Sequence, residues 1–152
     1  MTFKMLLVED NEYKRERVLN FLDEVFPSTL VSQAHSFSTG CQSVESEAFD
    51  LVLMDISLPT YDRAGRESGG RFRSNGGREI ARKIVRRGVA TSIIFLTQYE
   101  AFSDRGSSLT LAELTDVLAQ ECGKNFGGLI YFDSTKSAWK SNLEKLIRDR
   151  RK

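Results

Sequence analysis

The sequence predicts an α/β fold: a doubly wound, five-stranded parallel sheet in the order 2-1-3-4-5, with helices on both faces. Three observations predict it. Short apolar runs alternate with segments of helical period along the chain. The clearest runs, Leu6-Leu7-Val8, Leu51-Val52-Leu53-Met54 and Ile93-Ile94-Phe95-Leu96, are apolar throughout, as in strands buried on both faces. Parallel pairing of such strands needs right-handed crossovers, and the intervening helices supply them.

The elements follow in order. Phe3 to Val8 is the first strand. Asn11 offers a cap to a helix whose apolar stripe is Val18, Leu22, Val25 and Phe26, and Pro27 stops it. Leu30 to Ala34 is the second strand. Ser38 to Phe49 is a polar helix with a thin stripe through Cys41, Val44 and Ala48. Asp50 to Asp55 is the third strand, and Ser57-Leu58-Pro59 breaks it. The glycine-rich stretch that follows carries Arg63, Arg66, Arg71 and Arg73 and reads as a loop. A helix resumes through Ile80, Ala81, Ile84 and Val85 and closes at Gly88. Ser92 to Thr97 is the fourth strand. Thr110-Leu111-Ala112-Glu113 has the form of a capping box, opening a helix through Leu114, Val117 and Leu118. Gly127-Gly128 precedes a fifth strand, Leu129 to Phe132. The last helix aligns Trp139, Leu143, Leu146 and Ile147, and its basic end suits a helix C-terminus.

Composition narrows the function. The 152 residues, 40% hydrophobic and 28% charged, suit one globular domain spanning 1–152 and exclude disorder of the whole chain. No apolar run approaches the roughly 20 residues of a membrane span, and no secretory signal opens the chain, so a soluble cytoplasmic protein is expected. Cys41 and Cys122 make neither a disulfide scaffold nor a zinc site. A net charge of +1 gives no bias toward nucleic acid or anionic membrane. His35 is the sole histidine, which argues against Ser-His catalysis and multi-histidine metal sites. There is no phosphate-binding G-x-x-x-x-G-K-[ST] loop.

Ligand sites in such sheets lie beyond the carboxyl ends of the strands, where strand order reverses. Glu9 and Asp10 end strand one, and Asp55 ends strand three; in the flavodoxin-like order these strands are neighbours. Like charges about 4 Å apart repel by roughly 4 kcal/mol at an effective dielectric near 20. Either one acid keeps its proton or a hard cation such as Mg²⁺ sits among them. Thr97, ending strand four, places a hydroxyl where it could bond an anion held at Asp55.

Leu6-Leu7-Val8-Glu9-Asp10-Asn11, Leu51-Val52-Leu53-Met54-Asp55-Ile56-Ser57-Leu58-Pro59 and Ile93-Ile94-Phe95-Leu96-Thr97 resemble the signature stretches of two-component response regulator receiver domains. Pro59 and Gly77 fit as well. The resemblance implies Mg²⁺-dependent transfer of a phosphoryl group from a histidine kinase or phosphotransfer protein to Asp55. It implies Glu9, Asp10, Asp55 and the backbone carbonyl of Ser57 as metal ligands, direct or through water. Thr97 would be the switch residue, biasing the face around helix four and strand five toward a downstream protein partner, with a homodimer as a further option. Such a domain modifies itself and is not an enzyme in the ordinary sense.

The chain departs from the family at strand five. The expected lysine is replaced by Phe132 or, one residue on, Asp133, and Lys136 is the candidate surrogate cation. Asp133 itself suits a cap for the last helix. Insertions are expected at 60–76 and 99–109; Tyr99, Phe102 and Tyr131 are candidates for a partner surface. These departures keep a second reading open, a pseudo-receiver whose partner binding ignores phosphorylation. A phosphatase with a nucleophilic Asp is disfavoured, because Ser57 stands where its second acid belongs.

Overall fold

A computed structural model describes residues 2–63, 69–98, 102–104 and 107–151, with 102–104, 107 and 108 described by backbone alone. The elements are β1 (Lys4–Val8), α1 (Glu12–Val25), β2 (Leu30–Ala34), α2 (Phe37–Ser46), β3 (Leu51–Met54), β4 (Leu58–Pro59), β5 (Phe72–Arg73), α3 (Gly76–Arg87), β6 (Ser92–Thr97), β7 (Phe102–Asp104), β8 (Ser107–Leu109), α4 (Leu111–Cys122), a 3-10 turn (Gly123–Asn125), β9 (Phe126–Tyr131) and α5 (Ala138–Arg151).

The main sheet is parallel, in the order β2-β1-β3-β6-β9. Counting only its own strands, that is the expected 2-1-3-4-5. Two apolar clusters cover its faces. Leu7, Leu53 and Ile94 meet Val18 and Leu22 of α1 and Trp139 and Leu143 of α5 on one side. Leu6, Val52 and Phe95 meet Val44 of α2, Ile80 of α3 and Leu118 of α4 on the other. Burial on both faces is why these strands carry no polar alternation. Among the described residues no helix is long and apolar enough to cross a membrane. Cys41 and Cys122 are unbonded and buried, and burial, foremost, pushes the Cys122 thiol up to about 11.

Several local expectations need correction. The glycines do not precede the last strand; they lie within β9. A side chain on Gly127 would come 2.9 Å from the carbonyl oxygen of Ile93, and Gly128 has φ 139° beneath Leu146, beside a register shift at Ile93/Ile94. Close approach of the neighbouring strand explains Gly127, and the positive φ beneath the Leu146 side chain of α5 explains Gly128. α2 opens on a capping box of Ser36 with Thr39 and ends at Ser46, leaving Ala48 exposed beyond it. The insertion after β3 is not irregular throughout. β4 and β5 pair antiparallel across it, and Ser38 donates to the carbonyl of Thr60 while Thr39 donates to Asp62, fastening the hairpin to α2. Residues 64–68, and Arg66 with them, lie outside the described residues. Within the second insertion β7 and β8 form a hairpin.

Candidate functional site

The carboxyl ends of β1, β3 and β6 meet at one place. Glu9 and Asp10 follow β1, Asp55 follows β3 and Thr97 closes β6. Glu9 is 3% exposed and Asp55 7%. Their side chains converge on a cation that the sequence reading did not anticipate. Lys14 Nζ lies 2.7 Å from Glu9 Oε1 and 3.1 Å from Asp55 Oδ2, and donates to the carbonyl of Leu96 at 2.7 Å. The lysine is 1% exposed.

Local structure builds this arrangement. Asn11 caps α1, accepting at Oδ1 from Lys14 N at 2.9 Å, while its own N–H donates to Glu9 Oε2 at 3.0 Å. The cap ties the end of β1 to the first turn of α1. From that turn Lys14 points back toward the sheet, as helical side chains do. Ile56 N donates to Asp55 Oδ1 at 2.7 Å, fixing the other carboxylate oxygen. Behind it, Gly77 N donates to the carbonyl of Ile56, and any side chain at 77 would lie 2.1 Å from the carbonyl oxygen of Asp55. Only glycine lets α3 begin this close to the acid.

Burial pushes the Glu9 carboxyl above its ordinary value; Lys14 opposes that and the charge of Asp55 adds to it. Asp10 is raised too, by burial first, with Arg63, Arg15 and His35 opposing and Asp55 adding. Arg63 Nη2 lies 3.0 Å from Asp10 Oδ2, so one insertion arginine reaches the site. Arg73 instead stacks on Phe37 and pairs with Glu79.

Thr97 is fully buried, and its hydroxyl has no hydrogen-bond partner. Its carbonyl accepts from Phe132 N at 2.6 Å, so the fourth and fifth sheet strands are pinned together beside the site. Phe132 is buried, with its ring centroid 5.8 Å from Lys14 Nζ. Lys136 is exposed in the turn after β9; the ammonium that meets Asp55 among the described residues is that of Lys14. Asp133 does not cap α5. It accepts from Thr135 N and Thr135 Oγ1, closing a turn ahead of that helix, and these bonds, the side-chain one first, hold its carboxyl below the usual range. A cleft of about 340 Å³ opens over Lys14 between Tyr13, Gln98, Tyr131 and Ser134. Tyr131 is half-buried on its wall; Tyr99 lies outside the described residues, and Phe102 is described by backbone only.

The donor chemistry here is all hard oxygen. Among the described residues no three acidic, histidine or cysteine side chains are placed to cage a metal. Magnesium rarely uses such a cage; it takes one or two carboxylates and keeps its waters. Asp10 and Asp55, the first raised in part by the charge of the second, suit that mode.

The miss of Lys14 is instructive. It stands four residues before Val18, on the same stripe that buries Phe21 and Leu22. A lysine in the first turn also runs against the positive end of the helix dipole. Both signals were present in the sequence.

No family model matches the chain. It is 30% identical over 146 residues to the Detocs response regulatory protein DtcB of Enterobacter cloacae, covering 95% of this chain and 97% of that protein. It is 27% identical over 108 residues to the transcriptional regulatory protein CiaR of Streptococcus pneumoniae, covering 71% of this chain and 41% of that longer protein. Among solved structures, the signal receiver domain of a Luxo repressor protein from Vibrio parahaemolyticus superposes with a TM-score of 0.66 at 16% identity, covering 99% of this chain and 94% of that one. The response regulator TrrA of Thermotoga maritima, in complex with Mg(2+)-BeF, superposes with a TM-score of 0.59 at 19% identity, covering 95% and 99%. With strand order, acid-bearing strand ends and near full-length similarity in agreement, the chain belongs to the response regulator receiver family.

Proposed function

We propose that the chain accepts a phosphoryl group on Asp55, with Mg²⁺, from a histidine kinase or phosphotransfer protein, and signals through contacts with a downstream protein. One observation carries this reading. Two buried carboxylates from separate strands share a single ammonium, beside a buried threonine hydroxyl with no partner. A packed core gains nothing from that surplus of negative charge. Near full-length similarity to a response regulatory protein supports it, as does a fold neighbour carrying Mg(2+)-BeF.

In the transfer, an Asp55 carboxylate oxygen attacks phosphorus. The bond from phosphorus to the donor nitrogen breaks, its electron pair leaves with the donor imidazole, and an acyl phosphate remains. Mg²⁺ would supply charge neutralisation for the incoming phosphoryl group. Asp10, Asp55 and the Ser57 carbonyl are the residues that would hold it, with Glu9 acting through water. To hold it, Asp10 would give up its Arg63 partner. Ile56 N and Lys14 orient the Asp55 carboxylate, and the Thr97 hydroxyl is available to the added phosphoryl oxygens.

Intact mass after incubation with acetyl phosphate and Mg²⁺ tests the reading. The expected result is a gain of one phosphoryl that disappears in Asp55→Asn and on chelation of the metal. The second reading, a pseudo-receiver, draws on Lys14 and Arg63, which already partner all three acids. An unmodified chain that still binds its partner would establish it.

A further inference from the structure

Lys14 is costly where it sits. Burying an ammonium carries a penalty of several kcal/mol, and the helix N-terminus adds to it. The residues sharing its helix face, Val18, Phe21 and Leu22, are apolar, so packing of α1 on the sheet does not ask for a cation. All three N–H groups nonetheless meet oxygen: Glu9, Asp55 and the carbonyl of Leu96. Two of these bonds go to carboxylates; the third, at 2.7 Å, goes to the one acceptor of the set that carries no charge. That third bond belongs to the residue immediately before Thr97. On the opposite wall β9 carries no cation, and the residue that follows it toward Lys14 is Phe132, with its ring.

We propose that Lys14 is the phosphoryl-contact cation of this site and the lever of its switch. When Asp55 is modified, its charge moves outward from the carboxylate onto the phosphoryl oxygens. The ammonium follows, keeps Glu9, and exchanges the Leu96 carbonyl for a phosphoryl oxygen. Release of that carbonyl frees the end of β6 next to Thr97 and links the modification to α1. The inference rests on Asp55 being the phosphoacceptor and deepens that reading by assigning its cation to α1 and not to the strand-five end.

The test uses the full chain labelled with ¹⁵N at lysine side chains and backbone amides, with beryllium fluoride plus Mg²⁺, or acetyl phosphate plus Mg²⁺, as the probe. In the wild type one protected ammonium resonance, assigned by its loss in Lys14→Arg, shifts on addition of the probe, together with the amides of Leu96 and Thr97. Lys14→Met takes up phosphoryl about ten- to a hundredfold more slowly, the worth of one charge-assisted hydrogen bond, and its Thr97 amide does not move. Lys14→Met combined with Phe132→Lys, which returns a cation from the other wall, restores the Thr97 shift. Should Lys14→Met fail to fold, the wild-type ammonium resonance decides alone. A wild type that gains phosphoryl while its Lys14 resonance stays fixed overturns the inference and leaves the phosphoacceptor reading standing. So does a folded Lys14→Met with a wild-type Thr97 shift. A wild type that takes up neither probe overturns both.

Discussion

Two buried cations in this molecule are partnered in opposite ways. Arg78, on α3, forks onto Glu121 of α4 at 3.0 and 2.6 Å, and its third nitrogen donates to Asn75. Arg82 adds a second guanidinium to the same glutamate at 3.2 Å. Lys14 meets two carboxylates with one ammonium, and a third acid stands one residue away at Asp10. The α3–α4 centre joins two helices through a bidentate fork; the Lys14 centre holds two carboxylates on one ammonium beneath a cleft. Planar, bidentate pairing fastens surfaces together, whereas a point cation held among surplus carboxylates is poised to exchange partners. Burial is common to both centres; what separates them is how the cation is shared.

The largest expected effect comes from removing the ammonium. Lys14→Met leaves two buried carboxylates without their shared partner, at a cost of about 3–5 kcal/mol in urea unfolding. Arg78→Met should cost less, about 1–3 kcal/mol, because Glu121 keeps Arg82, and phosphoryl uptake should be unchanged. Equal losses of uptake in the two variants would break the comparison. Gly77→Ala sharpens it from the backbone side. A methyl group there meets the Asp55 carbonyl, so about 1–3 kcal/mol of stability should be lost together with uptake.

The smallest effect is a pH dependence at the α3–α4 centre. Burial alone would raise the Glu121 carboxyl, but the hydrogen bonds and charges of Arg78 and Arg82 outweigh it and hold the group below its ordinary 4.5. Its contribution is therefore present above pH 4.5 and lost as pH falls through the lowered folded value. Glu121 and Arg82 are partly open to solvent here, so the contribution is under about 1 kcal/mol. Glu121→Gln should flatten that part of the stability curve, measured by thermal unfolding between pH 3 and 6.

Most of the frame was legible because strong local signals agreed with the fold. Leu30–Ala34 and Ser92–Thr97 form strands over those very residues, Thr110 and Glu113 form the capping box, and Gly88 closes α3 with φ 67°. The acid-bearing strand ends were legible for the same reason, since position after a buried strand dictates where Glu9 and Asp55 emerge. The glycines of β9 misled because their reasons, Ile93 of the neighbouring strand and Leu146 of α5, are distant along the chain. Lys14 was missed on similar grounds. A lysine reads as solvated until its partners are known, and Asp55 lies 41 residues away along the chain. Lys136, closer in sequence to the vacant strand-five position, drew the expectation and sits exposed.

Locating the modified residue tests the central claim most directly. The chain is treated with acetyl phosphate and Mg²⁺, the acyl phosphate is reduced with borohydride, and the digested peptides are sequenced by mass spectrometry. A single reduced acid at position 55 is the predicted result. Label on Glu9, Asp10 or Asp133 in its place, or no label on a folded chain, would contradict the account.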